Sequence, residues 1–120
     1  MKKMIICFDI DNTICKTKGN DYQNAKPYKG IIKKINNLYD RGYFIKLHTS
    51  RYMGRNNENI NKVKKQGYLK TLKQLKKWEL KFNQLIMGKP SFDLLVDDKS
   101  IDFKKNRIKK IDNKIKKFDN

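Results

Sequence analysis

The run Met4-Ile5-Ile6-Cys7-Phe8-Asp9-Ile10-Asp11-Asn12-Thr13 constrains this chain more than any other stretch, because an apolar segment ends in two aspartates one residue apart. A short, continuous apolar run of this kind reads as a strand buried in a parallel sheet. Its carboxylates then sit at the strand's C-terminal end, the edge at which open α/β sheets bind ligands. Two acids held this close repel each other and favour a cation between them, so Mg²⁺ and phosphate chemistry is the first function to test.

The remaining pattern supports a sheet. Cys15 to Gly30 is polar and carries Gly19, Asn20, Pro27 and Gly30, which predicts an irregular loop or flap. Ile31, Ile32, Ile35, Leu38 and Tyr39 recur at helical spacing, and Gly42 is a natural stop. Tyr43 to His48 is a second strand candidate, followed by Thr49-Ser50-Arg51, and Tyr52 to Asn61 is a polar loop. Leu72, Leu75, Trp78 and Phe82 predict one face of a long amphipathic helix. Leu85-Ile86-Met87 and Phe92 to Val96 are short strand candidates, the second ending at Asp97-Asp98. The order implies an α/β fold, a Rossmann-like three-layer sandwich with a mostly parallel central sheet.

At 120 residues the chain is expected to form one domain, with a core over 1–103 and a Lys-rich segment over 104–120. Ile108, Ile111, Ile115 and Phe118 keep a helical stripe in that segment, so it is expected to pack. No stretch approaches the ~20 apolar residues of a membrane span. The apolar run after Lys2 and Lys3 stops at Asp9 without a small-residue cleavage site, so no signal peptide and no membrane partner are expected. Cys7 and Cys15 match no disulfide framework or zinc spacing; Cys7 reads as a small core residue, and both suit a reducing cytoplasm.

The net charge of +18 raises a nucleic-acid partner. Nearly all of it is Lys, with Arg only at Arg41, Arg51, Arg55 and Arg107. Arg is the usual bidentate reader of phosphates and bases. Compositional bias is the favoured explanation, and a nucleic-acid partner is not favoured.

Four segments taken together resemble the haloacid dehalogenase-like (HAD) phosphatases. Asp9-Ile10-Asp11-Asn12-Thr13 is similar to their first motif, Thr49 after an apolar strand to the second, Lys89 in Gly-Lys-Pro to the third, and Asp97-Asp98 to the fourth. All four stand in the family's order over most of the chain. The resemblance implies that Asp9 is a nucleophile forming an aspartyl-phosphate and that Asp11 is the general acid, then the base. It implies Thr49 as donor to a phosphoryl oxygen and Lys89 as the cation orienting Asp9. Mg²⁺ would be held by Asp9, the Asp11 backbone carbonyl and one acid of the last pair, Asp98 directly with Asp97 behind it. Thr13, Ser50 and Arg51 are the further candidates for substrate binding, with Arg55 beside them, although two solvated loop arginines account for Arg51 and Arg55 nearly as well.

Other readings fit less of the chain. An EF-hand loop fails because Ile14 stands where its Gly is needed and Asn20 where its Glu is needed. A phospho-accepting receiver domain places its acid pair first, whereas Asp97-Asp98 comes last. Thr49 could close a strand structurally, with Ser50 supplying the hydroxyl. His48, the single histidine, alternates away from Thr49 and reads as a packing residue.

Neither Thr13 to Ile31 nor Thr49 to Lys89 has room for a folded cap, so the resemblance is to capless members with an open site. Such members act on large substrates or borrow a neighbouring subunit as lid, which leaves a homo-oligomer open. Gly19-Asn20-Asp21-Tyr22, Thr49-Ser50-Arg51 and Gly88-Lys89-Pro90 together are similar to small bacterial phosphatases of capsular and surface-polysaccharide synthesis. That implies a small phosphorylated metabolite such as a sugar phosphate. The alternatives are a polynucleotide 3′-phosphatase, or a non-catalytic basic binding protein on the same fold.

Overall fold

The computed structural model describes residues 4–53, 60–101 and 107–119. Its elements run β1 (Ile5–Asp9), the short strands β2 (Cys15–Lys16) and β3 (Lys26–Pro27), α1 (Lys29–Asp40), β4 (Phe44–Thr49), α2 (Ile60–Lys77), β5 (Gln84–Met87) and α3 (Arg107–Asp119). Strands β1, β4 and β5 form a parallel sheet in that order, so each helical crossover joins neighbouring strands. The architecture is a Rossmann-like α/β fold, a parallel sheet flanked by helices. Strands β2 and β3 pair antiparallel, which gives the expected flap a hairpin base around the turn Tyr22–Asn24.

Register decides which apolar residues are buried. Ile6 pairs with Ile45, Phe8 with Leu47, Leu47 with Leu85 and Thr49 with Met87, so these side chains share one face. Ile45, Leu47 and Thr49 are fully buried there. Each aliphatic side chain so buried contributes about 1.5–3 kcal/mol. On the opposite face Ile5 and Phe44 are exposed, and so is Cys7, contrary to the expectation that it sits in the core. The strand is therefore buried on alternate residues, because the described elements do not seal its second face.

Helix α1 buries Ile31, Ile32, Ile35 and Leu38. It stops at Gly42, whose positive φ of 93° lets Tyr43 N–H return to the Leu38 carbonyl at 3.1 Å. Helix α2 ends at Lys77, earlier than the stripe through Phe82 predicts. Asn36 explains the stop: its amide donates to the Glu79 carbonyl at 3.0 Å and its oxygen accepts the Lys81 N–H at 2.7 Å. That clamp holds Glu79 at a left-handed φ of 58°. Leu75 is still buried, while Trp78 and Phe82 pack on the core from the following turn.

The Lys-rich C-terminal segment forms α3, which buries Ile111 and Ile115 but leaves Ile108 and Phe118 exposed. A Lys34–Asp112 ion pair at 2.5 Å ties it to α1. The strand expected over Phe92 to Val96 does not form. Leu94 and Val96 are 80% and 88% exposed, so this run has no sheet partner to bury it. Among the described residues no helix is long and apolar enough to cross a membrane.

Candidate active site

Strands β1 and β4 are parallel, so Asp9 and Thr49 both lie at the C-terminal edge of the sheet. Beyond β1 the chain turns sharply: the Ile10 carbonyl accepts N–H groups from Thr13 at 3.1 Å and Ile14 at 2.8 Å. Asn12 takes the left-handed φ of 62° that this turn requires, which Asn tolerates well. The turn carries Asp11 toward β4 and the flap.

Lys89 arrives from the next strand. Its N–H donates to the Thr49 carbonyl at 3.0 Å, continuing the ladder past β5, and its Nζ lies 3.5 Å from Asp9 Oδ1. Burial pushes the Asp9 carboxyl above its ordinary range, and the Lys89 charge works against that shift. The ammonium also lies over the Phe92 ring, 5.1 Å from its centroid. Burial and Lys89 both push the neighbouring His48 down, which favours its neutral form.

Asp11 sits in a different electrostatic setting. The Arg51 fork grips it, with Nε donating to Oδ2 and Nη2 to Oδ1, each at 2.9 Å. Thr17 on the flap donates its hydroxyl to the same Oδ1 at 2.5 Å. The Arg51 side chain is entirely buried, while Asp11 keeps 20% of its side chain exposed. Burial works against the Arg51 charge, and the bonds and charge of Asp11 outweigh it, so its pKa is raised.

Arg51 thus turns inward, which corrects the expectation that it faces substrate. Its Nη1 donates to Gln74 Oε1 on α2 at 2.7 Å, and Gln74 Nε2 donates to the Tyr22 carbonyl on the flap at 2.7 Å. The guanidinium also stacks over the Tyr22 ring, which meets Tyr52 edge-on at 5.0 Å. Tyr52 is buried at a left-handed φ of 69°, an uncommon conformation for a bulky residue.

Thr49 is buried and its Oγ1 accepts the Arg51 N–H at 3.1 Å, which leaves the hydroxyl proton to donate. Thr13 and Ser50 stand half-buried at the same sheet edge, in the turn after β1 and directly after β4. Arg55 lies outside the described residues.

Asp97 and Asp98 are not brought to this cluster, which corrects their assignment as metal ligands. Both are exposed, and the Asp97 carboxylate accepts the Lys99 N–H at 2.8 Å in a local turn. Among the described residues no three His, Cys, Asp or Glu side chains are grouped to hold a metal. Of the oxygens the resemblance assigns to Mg²⁺, the Asp9 carboxylate stands at the end of β1 and Asp11, whose main-chain carbonyl is the other, follows two residues on in the turn. They fit Mg²⁺, which takes oxygen donors and keeps several waters.

Sequence reasoning missed Thr17, Gln74 and Tyr22 as partners of the site. Gln74 left a signal, since it lies beside Leu75 and one turn from buried Thr71 on α2, where a polar residue needs an internal partner.

No family model matches the chain, and no curated protein does. The fold is similar to that of a Vibrio cholerae protein whose crystal structure was determined as an MCSG target, with a TM-score of 0.81 and 21% identity. The match covers 98% of this chain and 99% of that one, and it bears on the fold alone.

Proposed function

We propose that this protein is a phosphomonoester hydrolase of the HAD type that works through an aspartyl-phosphate on Asp9. The observation that carries this reading is the Asp9–Lys89 pair at 3.5 Å on the sheet edge, with Asp11 two residues on and held separately by Arg51. The two carboxylates sit in different environments, Asp9 beside the Lys89 ammonium and Asp11 in the Arg51 fork.

In the proposed reaction an Asp9 oxygen attacks phosphorus while Lys89 balances charge and orients the carboxylate. The ester P–O bond breaks, and the departing oxygen takes a proton from the Asp11 carboxyl. Water then attacks the aspartyl-phosphate, Asp11 takes its proton, and phosphate leaves as Asp9 is regenerated. The Thr49 hydroxyl, whose oxygen accepts the Arg51 N–H, offers its proton to a phosphoryl oxygen. Mg²⁺, held by Asp9 and the Asp11 carbonyl, would supply charge neutralisation of the phosphate.

The motif resemblance supports a small sugar phosphate or similar metabolite of surface-polysaccharide synthesis as substrate, in the cytoplasm. The test is Mg²⁺-dependent phosphate release from sugar phosphates, nucleotides and 3′-phosphorylated oligonucleotides, with Asp9→Asn in parallel. Release that requires Mg²⁺ and vanishes in Asp9→Asn is the expected result. Release that persists in Asp9→Asn refutes the nucleophile, and preference for the oligonucleotides refutes the metabolite substrate.

A further inference from the structure

We infer that Arg51 is a positioning residue that acts through Asp11, and that Gln74 couples this hold to the flap; the inference rests on the phosphatase reading. A general acid must present one carboxylate oxygen to the leaving group in a fixed direction. The contacts of Asp11 define which oxygen that is. Oδ1 accepts from Thr17 at 2.5 Å and from Arg51 Nη2 at 2.9 Å, with the Cys15 thiol at 3.8 Å. Both of its lone pairs are committed to the protein. Oδ2 has one partner among the described residues, Arg51 Nε at 2.9 Å, which leaves a lone pair to carry and exchange a proton.

The planar fork fixes the rotation of the carboxylate, which a single cation such as Lys would not do. The fork itself cannot turn. Its side chain is entirely buried, Nη1 is held by Gln74 at 2.7 Å, and its plane lies on the Tyr22 ring with the charge 5.0 Å from the centroid. Gln74 spends its other end on the Tyr22 carbonyl at 2.7 Å. One chain of hydrogen bonds therefore runs from α2 through the end of β4 to the proton-carrying acid, and from α2 to the flap. A flap that shifts at Tyr22 pulls on the same Gln74 that holds Arg51.

Leaving groups separate this role from a structural one. An alkyl ester needs a proton from Asp11 as its P–O bond breaks, whereas p-nitrophenolate departs without one. Hydrolysis of the aspartyl-phosphate, in which water attacks phosphorus and Asp9 is released, needs Asp11 as base for both esters. Arg51→Lys is therefore expected to lower kcat on a sugar phosphate about 10²–10³-fold with KM little changed, within the range set by acid–base catalysis. On p-nitrophenyl phosphate the first turnover is expected to fall less than about tenfold, with a burst of one p-nitrophenolate per protein as the aspartyl-phosphate accumulates.

Gln74→Met, which keeps the fork and loosens it, is expected to give a smaller loss with the same dependence on leaving group. It also reads the coupling if Arg51→Lys does not fold. Equal losses on both esters without a burst, or no loss at all, overturn the inference while the phosphatase reading stands. A wild-type protein that turns over neither ester overturns the phosphatase reading, and the inference with it.

Discussion

Replacing Arg51 with Met tests the buried Asp11–Arg51 pair without reference to activity. Removing one partner of a buried ion pair costs about 3–5 kcal/mol, because the other charge is left uncompensated. Here Arg51 is entirely buried, but Asp11 keeps 20% exposure and the Thr17 hydroxyl at 2.5 Å. Water and Thr17 therefore recover part of the loss, which places Arg51→Met near the lower bound, at about 3 kcal/mol. For a chain of this size that corresponds to a fall in Tm of roughly 10–15 °C.

Asp11→Asn keeps the shape and removes the charge, so the double variant should be less destabilised than the sum of the two by about 2 kcal/mol. Urea unfolding with an unchanged m-value measures all three, in chelator so that a lost metal is not read as a lost contact. Single costs that add to within about 0.5 kcal/mol would refute the reasoning, since they would show that the two side chains do not interact.

Other outcomes follow from single elements. A methyl on Gly67 of α2 meets the Tyr52 ring and the Met87 side chain, so Gly67→Ala is expected to cost about 1–3 kcal/mol in urea unfolding; no cost would mean that α2 stands away from the ring. Leu94→Ser and Val96→Ser should each change stability by less than about 0.5 kcal/mol, and a loss of several kcal/mol would show that this run is a buried strand after all. Burial and Lys89 lower the folded-state pKa of His48 below 6.5, so the folded protein binds fewer protons and this residue's contribution weakens stability as pH falls through 6.5. His48→Gln should reduce the loss of stability on going from about pH 8 to about pH 5, read as urea midpoints against wild type; an unchanged difference would contradict the desolvation argument.

Local pattern was enough to recover β1, α1, β4 and β5, because each carries its own periodicity between turn residues. It was also enough for α3, where Ile111 and Ile115 recur one turn apart. It failed where the outcome depended on a distant partner. The stripe through Trp78 and Phe82 continues at helical spacing, yet Asn36, some forty residues earlier, ends α2 by binding the backbone at Glu79 and Lys81. Phe92 to Val96 has the composition of a strand, but composition supplies no neighbour to pair with, and the run stays exposed. Cys7 lies in an apolar run, but only the packing of the sheet decides which of its faces is covered.

The same division runs through the site. Sequence by itself placed Asp9 and Thr49 at one sheet edge, because each ends an apolar run and parallel strands align their ends; the same argument placed Asp97-Asp98 there, and it fails for them because no strand forms before them. Only the tertiary structure decided what Arg51 does. A loop arginine after a strand reads as a solvent-facing anion binder, since nothing near it in sequence can neutralise its charge. Burial reverses that reading. Its acceptors, Asp11 and Gln74, lie 40 residues before it and 23 after it, and folding brings them together where the charge leaves water.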